Sequence, residues 1–436
     1  MLALSTLFQR PFDMFIAVFF QRYVIIICLL CSCAQMTLAE EETVTKRNSL
    51  PIEELYLFSE VFHQIRYNYV NEVSDKELIY LAIKGMLEGL DPHSTYLNQE
   101  EYKDLKESTS GEFAGIGVEV SLENGQIKVV EPIDDSPALK AGIKTGDIIV
   151  QIDDYKVLAH HLETAVEKMR GPKGSKIKLV VLRGKNQQRM TFNIKRAAIK
   201  VKSVKSHFLE SGYAYMRISQ FQSSTADEAE NQLKAFAQTN NIKGLIIDLR
   251  NNPGGLLLTA VDLADLFLKK GVVVYTQGKD EASRENYNST DFQLLEYTNI
   301  VMLMNEGSAS ASEIVAGALQ DRKRAIIAGT QSFGKGSVQT ILALPKERAM
   351  KLTTSRYYTP NGRSIQAEGI TPDIVIPNVE VKELPVNQIL SEADLVGHLD
   401  YEGKPPKTLQ SKNQHLDGDY QLQHALNLLK AMQLQQ

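Results

Sequence analysis

Ile300-Val301-Met302-Leu303-Met304 leads within three residues into Gly307-Ser308-Ala309-Ser310-Ala311-Ser312-Glu313. Five consecutive apolar residues bounded by turn signals read as a strand buried on both faces. Ser310-Ala311-Ser312-Glu313 has the spacing of a capping box, in which Ser310 caps a helix and Glu313 bonds back. A strand entering a helix through a short turn is the unit of an α/β layer fold, and the pattern extends in both directions. Residues 213–218, 245–249, 272–275 and 325–328 read as further short buried strands, and 225–239, 256–268 and 312–319 as helices. A strand at 350–358 precedes the Pro360-Asn361-Gly362 turn, and residues 372–377 close the domain. The expectation is an α/β sandwich core over residues 200–380.

Upstream, residues 106–196 read as short strands with two helical pieces. Gly115-Ile116-Gly117-Val118 places a glycine turn before an alternating strand, Ser136-Pro137-Ala138 starts a short helix ending near Gly142, and Gly146-Asp147-Ile148 opens another strand. This order resembles a PDZ domain, whose exposed strand edge takes a peptide while backbone amides of the glycine loop hold its terminal carboxylate. Residues 50–105 form a helical N-terminal unit. Leu55, Phe58, Val61, Phe62 and Ile65 recur near the 3.6 period, and Gly89 with Asp91-Pro92 ends a second helix begun at Asp75. Residues 381–436 are a polar tail with a helix at 420–434. The fold class is therefore α/β and multidomain.

The formal net charge of −5, from 48 basic and 53 acidic residues, leaves no polycationic surface for nucleic acid. Residues 14–34 are the only long apolar stretch, interrupted by Gln21 and Arg22. The run 23–30 is short for a bilayer span and suits a signal-peptide core, with Thr37-Leu38-Ala39 as cleavage site. Residues 1–39 are thus expected to direct export. All three cysteines, Cys28, Cys31 and Cys33, fall inside this segment, so its removal leaves a chain without thiols. Retention as an uncleaved anchor, or lipidation at Cys33, are the alternatives that would keep the chain at a membrane.

A serine between a buried strand and a helix start, with a lysine beside a second strand end, can form a Ser-Lys hydrolase site. The lysine here is Lys335, in Phe333-Gly334-Lys335-Gly336-Ser337-Val338-Gln339. A helix N-terminus favours a developing oxyanion at Ser310, although Ser308, Ser310 and Ser312 each also have a turn or capping role. Lysine acts as a base only when neutral, which burial or a neighbouring positive charge promotes. The apolar approach at 325–328, Phe333 and the flanking glycines suit such a packed site. The loop Asn251-Asn252-Pro253-Gly254-Gly255 leaves a strand end with a backbone small enough to approach a reacting centre.

Rival chemistries fit less well. His207, His160 and His161 lie in no motif that matches a Ser-His-Asp triad, and His93 in Asp91-Pro92-His93-Ser94 reads as a brace of its turn. Gly329-Thr330-Gln331-Ser332-Phe333-Gly334-Lys335 approaches a phosphate-binding loop, but Gly336 stands where that loop needs a hydroxyl, and a strand follows where it needs a helix. A peptide-binding scaffold with an inactive core is the other class of reading, but the Ser310 and Lys335 that an active core requires are both present.

From residue 51 to 377 these ordered motifs resemble the C-terminal processing peptidases, also called tail-specific proteases. The resemblance implies an exported, periplasmic serine endopeptidase with no cofactor or metal. Its substrates would be proteins or peptides with a free C-terminus, cut near apolar residues, with an adaptor or homo-oligomer formation as further features. By the same resemblance Ser310 is the nucleophile, with Ser308 and Ser312 left as turn and cap. Lys335 is the base, Gln339 orients it, and the amides of Ala311 and Gly255 form the oxyanion hole, Gly254 being the neighbouring candidate. Gly115, Ile116, Gly117 and Val118 bind the peptide. Arg170 matches a residue that links PDZ position to the active site, the alternative being a solvated turn arginine.

Overall fold

The computed structural model describes residues 50–157, 161–239, 242–380, 399 and 418–434. The apolar N-terminal segment with its cysteines, His160 and most of 381–417 lie outside the described residues. Among the described residues no helix is long and apolar enough to cross a membrane. The chain divides into two units, residues 1–85 and 86–436.

In the first unit, helix Ile52–Asn68 has two acidic residues in its first turn and Arg66 in its last, matching the helix dipole at both ends. It buries none of its residues. The predicted apolar stripe is present, yet Leu55, Phe58, Val61 and Ile65 remain between 40% and 49% exposed. A second helix, Asp75–Glu88, follows and runs past the unit's boundary.

In the second unit, strand Thr95–Leu97 pairs antiparallel with Ala349–Lys351 of strand Arg348–Tyr358. This pairing ties the Asp91-Pro92-His93-Ser94 turn to the core. Helix Gln99–Ser110 starts at a full capping box on Asn98 and Glu101. The strands Glu112–Gly115 and Ala197–Lys200 then pair antiparallel at the two ends of the glycine-turn domain.

That domain is an antiparallel sheet in the order Val118–Glu123, Gln126–Pro132, Ile148–Ile152, Lys176–Arg183, Gln188–Lys195. Helices Pro137–Ala141 and Leu162–Met169 accompany it, around a core that includes Val129, Ile149, Leu179 and Val181. Gly117 has φ +76°, and a Cβ there would stand 2.4 Å from that of Ser136, so only glycine fits this turn.

The catalytic-domain candidate is built on a six-stranded sheet in the order Val204–Glu210, Tyr213–Ile218, Gly244–Asp248, Asn299–Met304, Ile326–Gly329, Ile374–Val375. All neighbours are parallel except the first pair. Alternation along its strands separates two apolar faces. Leu245, Ile247, Ile300 and Met302 join a core shared with helices Thr225–Ala237, Leu257–Asp265 and Ala311–Asp321. Ile246, Val301 and Leu303 meet the C-terminal helix Tyr420–Gln433 on the other face. Burial on both faces explains the unbroken apolar runs. A second, antiparallel sheet contains Gly271–Gln277, Glu285–Ser289, Arg348–Tyr358 and the strand Ser337–Leu344 that follows Lys335.

Candidate active site

Ser310 sits where strand Asn299–Met304 turns into helix Ala311–Asp321, with φ +56° and ψ −115°. The Ser312 N–H bonds the Ala309 carbonyl at 3.1 Å, closing a tight turn with Ser310 at a position that glycine ordinarily occupies. Holding a serine there costs roughly 1–3 kcal/mol, so the surroundings must overdetermine the conformation. They do so on three sides.

Ser308 Oγ donates to the Leu249 carbonyl at 2.8 Å, and Ser312 Oγ to the Asn252 carbonyl at 3.0 Å. Both serines are completely buried, whereas Ser310 is partly open. The third side is Glu313, itself completely buried. Its Oε2 accepts from the N–H of Ser310 at 2.7 Å and of Lys335 at 2.9 Å, and its Oε1 from the N–H of Gly334 at 2.7 Å and Ser332 Oγ at 2.6 Å. The back-bond of the expected capping box is thus formed, but the same carboxylate also carries the lysine loop. One side chain joins nucleophile candidate to base candidate.

The Lys335 ammonium is half-buried, and its pKa is held below the ordinary lysine value. Burial is the main cause and the charge of Lys351 the next, while Asp91 and Glu313 pull the other way. Phe333, read from sequence as part of a packed wall, is 63% exposed and does not bury it. Tyr357 is the unexpected neighbour. Its buried hydroxyl donates to the Lys335 carbonyl, and burial pushes its pKa up while the neighbouring Ser310 side chain pulls it down. It lies in a strand whose pattern carries no motif, so nothing in the local sequence marks it.

Gln339 Nε2 donates to Ser337 Oγ at 2.9 Å and to Thr353 Oγ1 at 3.3 Å. Thr353 Oγ1 in turn donates to Asp91 Oδ1 at 3.1 Å. The Asp91 carboxylate also accepts the N–H of His93 and Ser94 at 2.8 and 2.9 Å, which makes the turn a brace for this strand. The imidazole of His93 titrates below its ordinary range, through burial first and the Lys335 charge second.

The glycine loop lies against the Ser310 turn. A Cβ on Gly254 would stand 2.7 Å from that of Ser310 and 2.9 Å from Ala311 N, and Gly254 has φ +98°. Gly254 N–H is occupied by Asn252 Oδ1 at 2.9 Å. Gly255 is bridged to Phe221 through its neighbours: Phe221 N–H bonds Gly254 and Leu256 N–H bonds Phe221, both at 2.9 Å. Among the described residues the N–H groups of Gly255 and Ala311 have no hydrogen-bond partner. The first follows the glycine packed against Ser310 and the second follows Ser310 itself.

Lys335 is followed by strand Ser337–Leu344 and not by a helix, so its loop does not have phosphate-binding architecture. The ring of His207, on the edge strand, lies 5.1 Å from that of Tyr215, and His161 precedes a helix in the glycine-turn domain. Gly115, Ile116, Gly117 and Val118 line a cavity of about 270 Å³ with Val166 and Met169. Arg170, at its rim, pairs with Asp104 at 3.3 Å and Glu107 at 3.4 Å on helix Gln99–Ser110. It is an inter-element contact and not a lone turn arginine.

Residues 212–376 match Peptidase family S41, residues 114–195 a PDZ domain, and residues 25–101 the Activating protease CtpB N-terminal domain. A carboxy-terminal-processing protease of Bartonella bacilliformis is 44% identical over 370 residues, spanning 84% of this chain and 85% of that one. The chain belongs to the carboxy-terminal-processing proteases. A probable CtpA-like serine protease of Staphylococcus epidermidis is 39% identical over 330 residues, 75% of this chain and 66% of that protein. The solved Photosystem II D1 C-terminal processing protease is 29% identical, with a TM-score of 0.44 over 72% of this chain and 85% of that one. The protease is a serine-type peptidase of mixed α/β fold with a PDZ domain and a helical N-terminal unit, acting on peptides or proteins.

Proposed function

We propose that the protease is exported and cleaves proteins after capturing their C-termini, through a Ser310-Lys335 dyad and an acyl-enzyme. The observation that carries this reading is the shared Glu313 carboxylate, which bonds the backbone of both dyad residues. It is joined by the depressed pKa of Lys335, which enriches the neutral amine a base requires. Lys335 takes the proton of Ser310 Oγ as that oxygen attacks the scissile carbonyl, and returns it to the leaving amine. The free amides of Gly255 and Ala311 hold the oxyanion. Water, deprotonated by Lys335, then releases the acyl group. Gln339 acts on the lysine side of the site through Ser337 and Thr353.

In the PDZ domain, the backbone at Gly115–Val118 takes the substrate carboxylate, and the cavity beside Val166 and Met169 takes its apolar terminal side chain. Arg170 reports the position of that domain to helix Gln99–Ser110 through Asp104 and Glu107. The apolar surface of helix Ile52–Asn68 supports homo-oligomer formation. The segment 1–39 supports a periplasmic location, with cleavage after Ala39 or retention at the membrane as its two outcomes.

The test uses an unfolded substrate with an apolar C-terminus, free or amidated, and intact-mass analysis of the quenched reaction. An acyl adduct mapped to the peptide containing Ser310 is expected. Amidation should raise KM by about tenfold, the effect of losing one charge-assisted contact of ~1.4 kcal/mol, with kcat little changed. An adduct on another residue would overturn the nucleophile assignment, and indifference to amidation would overturn carboxylate capture.

A further inference from the structure

Helix Tyr420–Gln433 is built into the core of the sheet that carries the nucleophile turn. Leu422, Ala425, Leu426 and Leu429 of helix Tyr420–Gln433 cover the sheet face formed by Ile246, Val301 and Leu303. Just before this helix, Asp419 accepts the N–H of Leu422 at 3.0 Å and grips Arg250. Its Oδ1 takes Nη1 at 2.9 Å and its Oδ2 takes Nη2 at 2.7 Å, while Gln421 Oε1 takes Nη1 at 3.1 Å. On the other side Nε and Nη2 of Arg250 bond Asp248 at 3.0 and 2.7 Å. The Arg250 side chain is only 15% exposed, and its planar fork is held from both directions.

Arg250 immediately precedes the glycine loop. The next residue, Asn251, has φ +54° and exchanges hydrogen bonds of 2.7 and 2.8 Å with Asn305, at the end of the strand leading to Ser310. The carbonyl of Asn252 receives the Ala309 N–H at 2.9 Å. One guanidinium and one asparagine pair thus separate the start of the terminal helix from the nucleophile turn.

We propose that helix Tyr420–Gln433 is a positioning element of the active site: Asp419 holds Arg250, and Arg250 fixes the 251–255 turn, so the docked C-terminal helix governs turnover and not substrate capture. The catalytic consequence rests on the dyad reading given above, whereas the mechanical coupling does not. A coupling of this kind requires perturbation at one end and a response at the other.

The experiment compares the full chain with Asp419→Ala, Asp419→Asn and Lys430→Ala. Lys430 pairs with Glu210 at 2.7 Å near the other end of the helix and serves as the docking control. Amide exchange of residues 250–256 and separate kcat and KM values are measured, with Ser310→Ala as the blank. Asp419→Ala is expected to speed exchange at 250–256 and lower kcat about tenfold, part of the 10²–10³ that loss of an oxyanion donor costs, with KM within about twofold. Asp419→Asn, which keeps the volume and one acceptor, should be intermediate and replaces the alanine variant should that one fail to fold. Unchanged exchange at 250–256, or an equal response to Lys430→Ala, would overturn the clamp. Faster exchange with unchanged kcat would overturn its role in turnover. Cleavage that persists in Ser310→Ala would sink the dyad reading alone, and the exchange result would still decide the clamp.

Discussion

Lys335→Ala is expected to lower kcat/KM by about 10²–10⁴-fold, the contribution of a positioned general base, and Ser310→Ala to leave no acyl adduct. The lysine variant should also change the pH profile. Only the neutral amine of Lys335 is a base, so activity in the wild type rises with pH up to the depressed pKa and then levels off. The groups that set this limb are Lys351, which lowers the pKa, and Asp91 and Glu313, which raise it. Lys351→Met should therefore move the acid limb to higher pH, because the remaining neighbours favour the ammonium. His93 also titrates on the acid side, and His93→Gln separates the two by leaving a limb that belongs to Lys335 in place. A limb that follows His93 and ignores Lys351 would assign the base elsewhere.

The same shift has a consequence for stability. Between its folded pKa and the ordinary lysine value, the unfolded chain binds more protons at this site than the folded one, so the contribution to stability rises with pH through that window. Below the folded pKa the penalty for burying the ammonium is present in full. Lys335→Met, which removes that ammonium, should raise Tm at neutral pH while lowering cleavage as strongly as Lys335→Ala. Gain in stability with loss of activity is the signature of a residue held in a costly state for function.

Much of the site was legible from local sequence because its chemistry is concentrated at strand ends. Ile300–Met304 announces a buried strand, the small residues after it announce a turn, and Gly336 with the strand that follows excludes a phosphate loop. The three serines were not separable by spacing alone. Burial and partners divide them, since Ser308 and Ser312 are consumed by carbonyls of the glycine loop and the strand end before it. The parts that escaped are those made by long-range contact. Tyr357 approaches Ser310 from a strand remote in sequence, and Asp419 reaches Arg250 across 169 positions. Phe333 misled for the converse reason: an apolar residue beside a functional one need not face it. Glu313 was legible as a cap because that role is local, and illegible as a joint because three of its four donors lie 19 to 22 residues away.

Glu313→Gln should lower kcat by about 10–10²-fold with little effect on KM, because the peptide cavity is lined by other elements. The carboxylate is an acceptor on both oxygens and receives four donors. An amide of the same shape turns one end into a donor, which must then face the N–H of Gly334 or of Ser310. Hydrogen bonds to a charged acceptor contribute about 1.5–3 kcal/mol each, so losing one or two weakens the lock on a serine already in a strained conformation. Alanine would strand all four donors, and against a total stability of roughly 5–15 kcal/mol that variant is expected to fold poorly, which makes glutamine the informative choice. A second readout separates the joint from a merely structural role. Glu313 raises the pKa of Lys335, so removing its charge should move the acid limb of the pH profile to lower pH, opposite in direction to Lys351→Met. A kcat within twofold of wild type, or a limb that stays in place, would show that the carboxylate does not couple Ser310 to Lys335.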